Sequence, residues 1–238
     1  MSREARGPRP FPLARCTVRG MFVGHLAIGF LGKRAVPRVP LAFLVFCTSF
    51  LDVLWPIFIL LGIEHARIVP GITAASPLDL YDYPWSHSVL MAAVWSVLAA
   101  LPWALGRRGR EAAVVALCVF SHVVLDIVSH RADIPLWPGS SMKVGFGLWQ
   151  SRAASVLVEG ALWAFALVVY ARAFHPTSRW GRWGLWILVL LLTFAWLSGP
   201  FGPPPPSITM VAASALPAIA IFTLWIWTVE RKREASNG

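Results

Sequence analysis

Charge is in short supply in this sequence. Lys, Arg, Asp and Glu make up 13% of its 238 residues, against 57% hydrophobic ones; a soluble domain carries roughly a quarter charged. That scarcity excludes an ordinary water-facing surface and points into a bilayer. Acid is scarcer still, with 11 Asp and Glu against 21 Lys and Arg, a net charge of +10. The basic residues are dispersed in short clusters beside apolar runs. No broad basic face with interleaved aromatics remains, so nucleic acid is excluded as a partner. Cysteine is limited to Cys16, Cys47 and Cys118. With no CxxC pair, a thiolate zinc site and a disulfide framework are both excluded; the two cysteines in apolar runs read as small buried hydrophobes. There is no internal repeat and no soluble domain. The first twenty residues are basic and Pro-rich and lack the apolar stretch of a signal peptide.

What the sequence does have is apolar length. Six stretches approach the roughly 20 residues a membrane span needs: 40–63, 86–105, 111–129, 153–172, 183–199 and 207–228. Thirteen Trp suit membrane–water interfaces. Residues 21–34, MFVGHLAIGFLGKR, hold an apolar run too short to span but long enough to enter the membrane. The expected fold is an all-α polytopic bundle of six transmembrane helices plus a short N-terminal embedded or amphipathic helix. Its parts are an extension, 1–20, absent from the native protein if translation starts at Met21, a helical core, 21–174, carrying the site, and two further transmembrane helices in 175–238. Arginine and lysine place the bundle in its membrane. Lys33, Arg34 and Arg38, then Arg107, Arg108 and Arg110, then Arg172, Arg179 and Arg182, then Arg231, Lys232 and Arg233 all fall on one side if the spans alternate. By the positive-inside rule both termini are cytoplasmic.

Ionisable residues at membrane depth are costly and functional by default. SHVVLDIVSH, residues 121–130, sets His122, Asp126 and His130 four apart, one stripe of a helix. At 1.5 Å per residue, Asp52 lies about 18 Å and His122 about 16 Å from the cytoplasmic ends of their spans, and Glu159 about 10 Å below the outer surface. With His87 and His130 at the outer mouths, groups from four helices converge on the outer half. Imidazole and carboxylate suit a divalent metal, Zn2+ foremost and Mn2+ or Fe2+ as alternatives. Ser86, Ser88 and Ser121 flank the histidines as hydrogen-bonding partners. Pro56 cannot donate to the carbonyl of Asp52. Asp79 and Asp82 read as solvated loop residues.

GHLAIG, SFLD, YPWSHS, SHVVLDIVSHRADIPL and VEG, spread over residues 21–160, resemble the bacterial membrane-bound metal-dependent hydrolase family, itself similar to zinc-dependent phospholipase C and P1-type nucleases. The resemblance implies His25, Asp52, His87, His122 and Asp126 as metal-facing positions, with His130, Asp133 and Glu159 as further site residues. It implies a helical metal site of a membrane hydrolase acting on a phosphoester or lipid-like substrate. The depth of the buried groups and the Arg clusters put its opening on the non-cytoplasmic side of an inner membrane, with membrane lipid as its surroundings. A metal would lower the pKa of its water toward 7. Glu159, Asp133 and His130 are then candidates for acid–base work, and Arg131 for holding a phosphate. The alternative is a proton- or metal-coupled transporter using the same buried groups. Transport requires polar residues through to the cytoplasmic side; PLAFLVFC and AAVVALCVF, the inner halves of the first and third spans, hold almost none.

Overall fold

A computed structural model describes residues 22–231 and 233–235; the 1–20 extension, Cys16 and the alternative start at Met21 lie outside them. In chain order come α1 (Val23–Ala35), α2 (Leu41–Thr48), α3 (Phe50–Leu60), the strands β1 (His65–Ile68) and β2 (Leu78–Asp82), the single turn α4 (Pro84–His87), α5 (Val89–Leu105) and α6 (Gly109–Ser129). The strands β3 (Ile134–Pro135) and β4 (Lys143–Val144) precede α7 (Arg152–Ala173), followed by β5 (Phe174–Pro176), α8 (Arg179–Ser198), α9 (Ile208–Glu230) and β6 (Arg233–Ala235). Each strand pair, β1–β2, β3–β4 and β5–β6, is antiparallel.

Serines set where four of the helices begin. Ser88, Ser151, Ser178 and Ser207 accept from the backbone N–H of Met91, Ala154, Gly181 and Met210, satisfying donors that a helix start leaves free. Among the described residues α6, α7, α8 and α9 are long and apolar enough to cross a membrane; α2 and α3 make a fifth span if counted together.

The expected count of six is therefore not reached, for two local reasons. The stretch 40–63 is broken at Ser49, where the axis bends by 52°. Pro56 instead rides inside α3. The stretch 86–105 is cut at Ser88, which turns extended (ψ 151) to cap α5. The 17 residues left rise about 25 Å, less than the ~30 Å of a hydrocarbon core. Nor is the chain purely helical: the 64–84 and 130–152 loops carry the first two strand pairs. They join through Ala75 N donating to Trp149 O at 3.0 Å.

Helix α1 is buried nearly all round, with Val23, His25, Leu26, Ala27 and Phe30 at 0–2% exposure. It packs against α2, α6 and α7. Gly29 makes the α2 contact possible, since a Cβ there would meet the Val45 backbone at 3.0 Å. Phe30, Trp163, Tyr170, Leu185, Phe222 and Ile226 form one core with α7, α8 and α9. The opposite faces of these last three helices stay apolar yet uncovered: Leu157, Phe165, Leu190, Phe194, Ile221 and Leu224 are 60–73% exposed. Such a surface belongs in hydrocarbon. At the far end of α1, Lys33 Nζ lies 2.5 Å from Glu230 and donates to the carbonyls of Pro37 and Val39. Glu230 in turn accepts from Leu41 N at the start of α2.

Candidate metal centre

Four side chains from three elements meet at one point. Asp52 stands in the first turn of α3, where the helix dipole favours a carboxylate. His87 ends α4, and His122 and Asp126 share one face of α6, four residues apart. His122 Nε2 is 3.3 Å from both His87 Nε2 and Asp126 Oδ2, and 3.7 Å from Asp52 Oδ1. His87 Nε2 is 3.7 Å from Asp126 Oδ2 and 3.8 Å from Asp52 Oδ1. Ligands about 2.0–2.1 Å from a tetrahedral ion lie about 3.3–3.4 Å from one another, so these edges fit one divalent cation with little adjustment.

The hydrogen bonds behind the rings decide which nitrogens face inward. His122 Nδ1 lies 2.7 Å from the carbonyl of Thr48, the last residue of α2. A carbonyl only accepts, so Nδ1 carries the proton. His87 Nδ1 lies 2.7 Å from Ser86 Oγ, which donates to Glu64 Oε2 at 2.6 Å and so must accept from the ring. With both rings neutral, the Nε2 lone pairs face each other and two carboxylates, four acceptors that repel unless a positive charge sits among them. Burial pushes the pKa of His87 well down, although Asp126 pulls it up, which suits a neutral ligand.

Around this core the remaining expected residues divide. His25 reaches it from α1: its ring stacks on His122, 3.8 Å between centroids and 7° from parallel, and its Nε2 is 3.2 Å from Asp126 Oδ1. His130 lies just past the end of α6 in extended backbone (ψ 154). The helix thus ends at Ser129, six residues before Pro135 and earlier than that proline requires. The His130 Nε2 is still 3.6 Å from Asp126 Oδ1. Burial lowers the His130 pKa, but Asp126 and Asp133 outweigh it and leave the value raised. Asp133 Oδ1 is 3.2 Å from His130 Nδ1 and accepts from Tyr83 Oη at 2.9 Å.

Arg131 and Glu159 are committed elsewhere. The Arg131 guanidinium bonds to Asp79 and, at 3.3 Å, to Asp133; Asp79 also holds Arg67 at 2.6 Å. Asp79 is 3% exposed, a buried tie between the two loops and not the solvated residue its position suggests. Glu159 Oε1 accepts from Phe22 N at 2.5 Å and Gly24 N at 2.9 Å, and Oε2 from Trp196 Nε1 at 2.5 Å. Its carboxylate anchors the start of α1, one residue before His25.

Several participants escape a reading by motif. Glu64, 1% exposed, accepts from Trp85 N, Ser86 N and Ser86 Oγ. The Thr48 carbonyl carries no side-chain signal at all. Ser86 holds the place expected of it. Ser121 bonds back to Cys118 O and Ser88 caps α5, so neither backs a histidine. Gly145 is needed where a Cβ would collide with the Arg131 carbonyl. Its neighbours Phe146 and Gly147 donate to Ile127 O and His130 O and fix the backbone around His130.

A family model described as YdjM inner membrane protein matches residues 69–201, more than half of the chain. The chain belongs to the YdjM inner membrane protein family. The YdjM match takes in His87, His122, Asp126 and His130 and leaves His25 and Asp52 outside it. Its description fits the apolar helices and places the protein in an inner membrane. No curated protein and no solved structure matches the chain.

Proposed function

We propose that the protein is a membrane-embedded, metal-dependent hydrolase of phosphoester or lipid-like substrates. The observation that carries this reading is the convergence of two imidazole nitrogens and two carboxylates at 3.3–3.8 Å. His87, His122 and Asp126 hold the ion, Zn2+ foremost with Mn2+ or Fe2+ as alternatives. Their side chains are 1–6% exposed. Asp52 is the odd one: 42% exposed and on the longer edges. Two histidines, one carboxylate and a fourth position toward the open side are what a catalytic zinc site requires. A cation there supplies Lewis acidity, polarising an ester oxygen and acidifying water. Asp52, at the entrance, is the group placed to accept the proton of an attacking water at Oδ1. His130, backed by Asp133 and Tyr83, stands across Asp126 from it.

Two features support a lipid-like substrate approaching from one side. A groove of about 560 Å3 between α2–α3 and α9 is lined by apolar residues including Phe43, Phe46, Val53 and Leu216, and Val53 directly follows Asp52. The Arg clusters at the opposite end orient that end to the cytoplasm, leaving the site on the outer side. The transport alternative needs polar groups between the site and the Lys33–Glu230 pair. Leu26, Phe30, Leu44, Val115 and Cys118, all buried, occupy those positions.

The test is elemental analysis of full-length protein purified in detergent without chelators, paired with hydrolysis of phospholipid vesicles and of a soluble phosphodiester. Bound metal and turnover, both lost in His122→Ala, are expected. Wild type that purifies without metal and hydrolyses neither substrate would overturn the proposal.

A further inference from the structure

The Asp126 carboxylate has two oxygens, and each faces its own pair of histidines. Oδ2 faces His87 and His122 at 3.7 and 3.3 Å. Oδ1 faces His25 and His130 at 3.2 and 3.6 Å. We infer that the centre holds two divalent cations bridged by Asp126, the second lying between Oδ1, His25 Nε2 and His130 Nε2. The inference rests on the metal reading of the site and adds a second ion to it.

Three observations carry it. First, the His130 ring is set up as the inner rings are. Its Nδ1 lies beside Asp133 Oδ1, which already accepts from Tyr83 Oη. The phenol hydroxyl is the donor in that bond, and a carboxylate oxygen only accepts. Nδ1 therefore carries a proton, and Nε2 is the ring nitrogen turned toward a carboxylate oxygen. At 3.6 Å this is too long for a hydrogen bond and close to a ligand–ligand edge.

Second, His25 is 2% exposed, and its Nδ1 has no hydrogen-bond partner among the described residues. Glu159 at the start of α1 and the stack on His122 hold this buried ring with Nε2 aimed at Asp126 Oδ1. Third, Asp52 serves both sides: besides its edges to His87 and His122, its carboxylate comes within 4.8 Å of a ring nitrogen of His25. A bridging carboxylate with two imidazoles on each side is the donor set of a two-metal centre, where ions about 3.5–4 Å apart share the charge of an in-line displacement.

The stoichiometry distinguishes this inference from the single-ion reading. Full-length protein in detergent, loaded with Zn2+ or Mn2+ and freed of excess, is expected to bind two ions per chain. The Mn2+ form is expected to show an exchange-coupled paramagnetic resonance signal. His25→Ala and His130→Gln should each bind one ion and lose the coupling, with melting temperature and elution volume showing the bundle intact. One ion per chain, unchanged in both variants, would overturn the second site and leave the first standing. No bound ion in wild type would remove both.

Discussion

The Ser86 hydroxyl lies between a ring and a carboxylate: it accepts from His87 Nδ1 at 2.7 Å and donates to Glu64 Oε2 at 2.6 Å. Glu64 comes from the end of the 61–64 turn and Ser86 from α4, so the relay ties that turn to the His87 ring. Partners of this kind fix a histidine's tautomer and orientation, and losing one typically costs 10–100-fold in metal affinity. Ser86→Ala and Glu64→Gln are each expected to weaken metal binding by about that factor with the helices still folded. Competition against a chromogenic chelator measures it, and wild-type affinity in both variants would leave the relay without a role at the metal.

Glu64 also makes stability depend on pH. Burial raises its pKa above the ordinary 4.5, against the pull of the Ser86 and Trp85 donors. The folded protein then holds this proton more tightly than the unfolded chain. The stabilisation is full below about pH 4.5 and is lost as pH rises through the folded pKa. Melting curves of metal-free wild type and Glu64→Gln should therefore diverge with rising pH, wild type losing ground. A flat difference would mean that the donors offset the burial.

Much of the centre is legible in the chain, because its donors lie in short local patterns. The i, i+4 spacing puts His122 and Asp126 on one face, and YPWSHS sets Ser86 beside His87. What the sequence hides is the support. The Thr48 carbonyl is backbone, and Glu64, Asp79 and Tyr83 act across loops that pair only after folding. Glu159 is the instructive case: its depth matches that of a catalytic acid, yet three donors occupy its carboxylate. The span count is lost for a related reason. Apolar length is visible in 40–63 and 86–105, but the backbone breaks at Ser49 and Ser88 turn on local dihedral choices that hydropathy does not register.

Glu159 should accordingly behave as an anchor. Glu159→Leu leaves the Phe22 and Gly24 N–H groups and the Trp196 indole without their acceptor, at about 1–3 kcal/mol for each buried group left unsatisfied. A lower melting temperature and faster amide exchange along α1 are expected, with the ion at His87 and His122 retained. Wild-type stability with abolished turnover would restore it to the chemistry.

At the other end of α1, the Lys33–Glu230 pair is buried, with side chains 8% and 14% exposed. Removing one partner of such a pair costs about 3–5 kcal/mol, because the other charge is left behind. Glu230→Ala should be severely destabilising, since it also uncaps Leu41 N at the start of α2. The double variant Lys33→Met/Glu230→Gln should recover a large part of the loss. Chemical denaturation of the four proteins closes the cycle, and additive losses would mean that the two side chains do not stabilise one another.

The orientation rests on the Arg clusters, and one exposed residue tests it. Ser141, between β3 and β4, is exposed and sits in the 130–152 loop that carries His130 and Asp133. With the site on the outer side, Ser141→Cys reacts with a membrane-impermeant maleimide in intact spheroplasts. Cys47 and Cys118 are buried and give little background, and Cys16 is replaced by Ser in each labelled variant. A cysteine replacing Arg108, in the Arg107–Arg110 turn at the opposite end, should react only once the membrane is opened, the outcome that the positive-inside rule predicts for that turn. The reverse pattern would turn the bundle over. The centre would then face the cytoplasm, and its substrate would have to be sought in the inner leaflet.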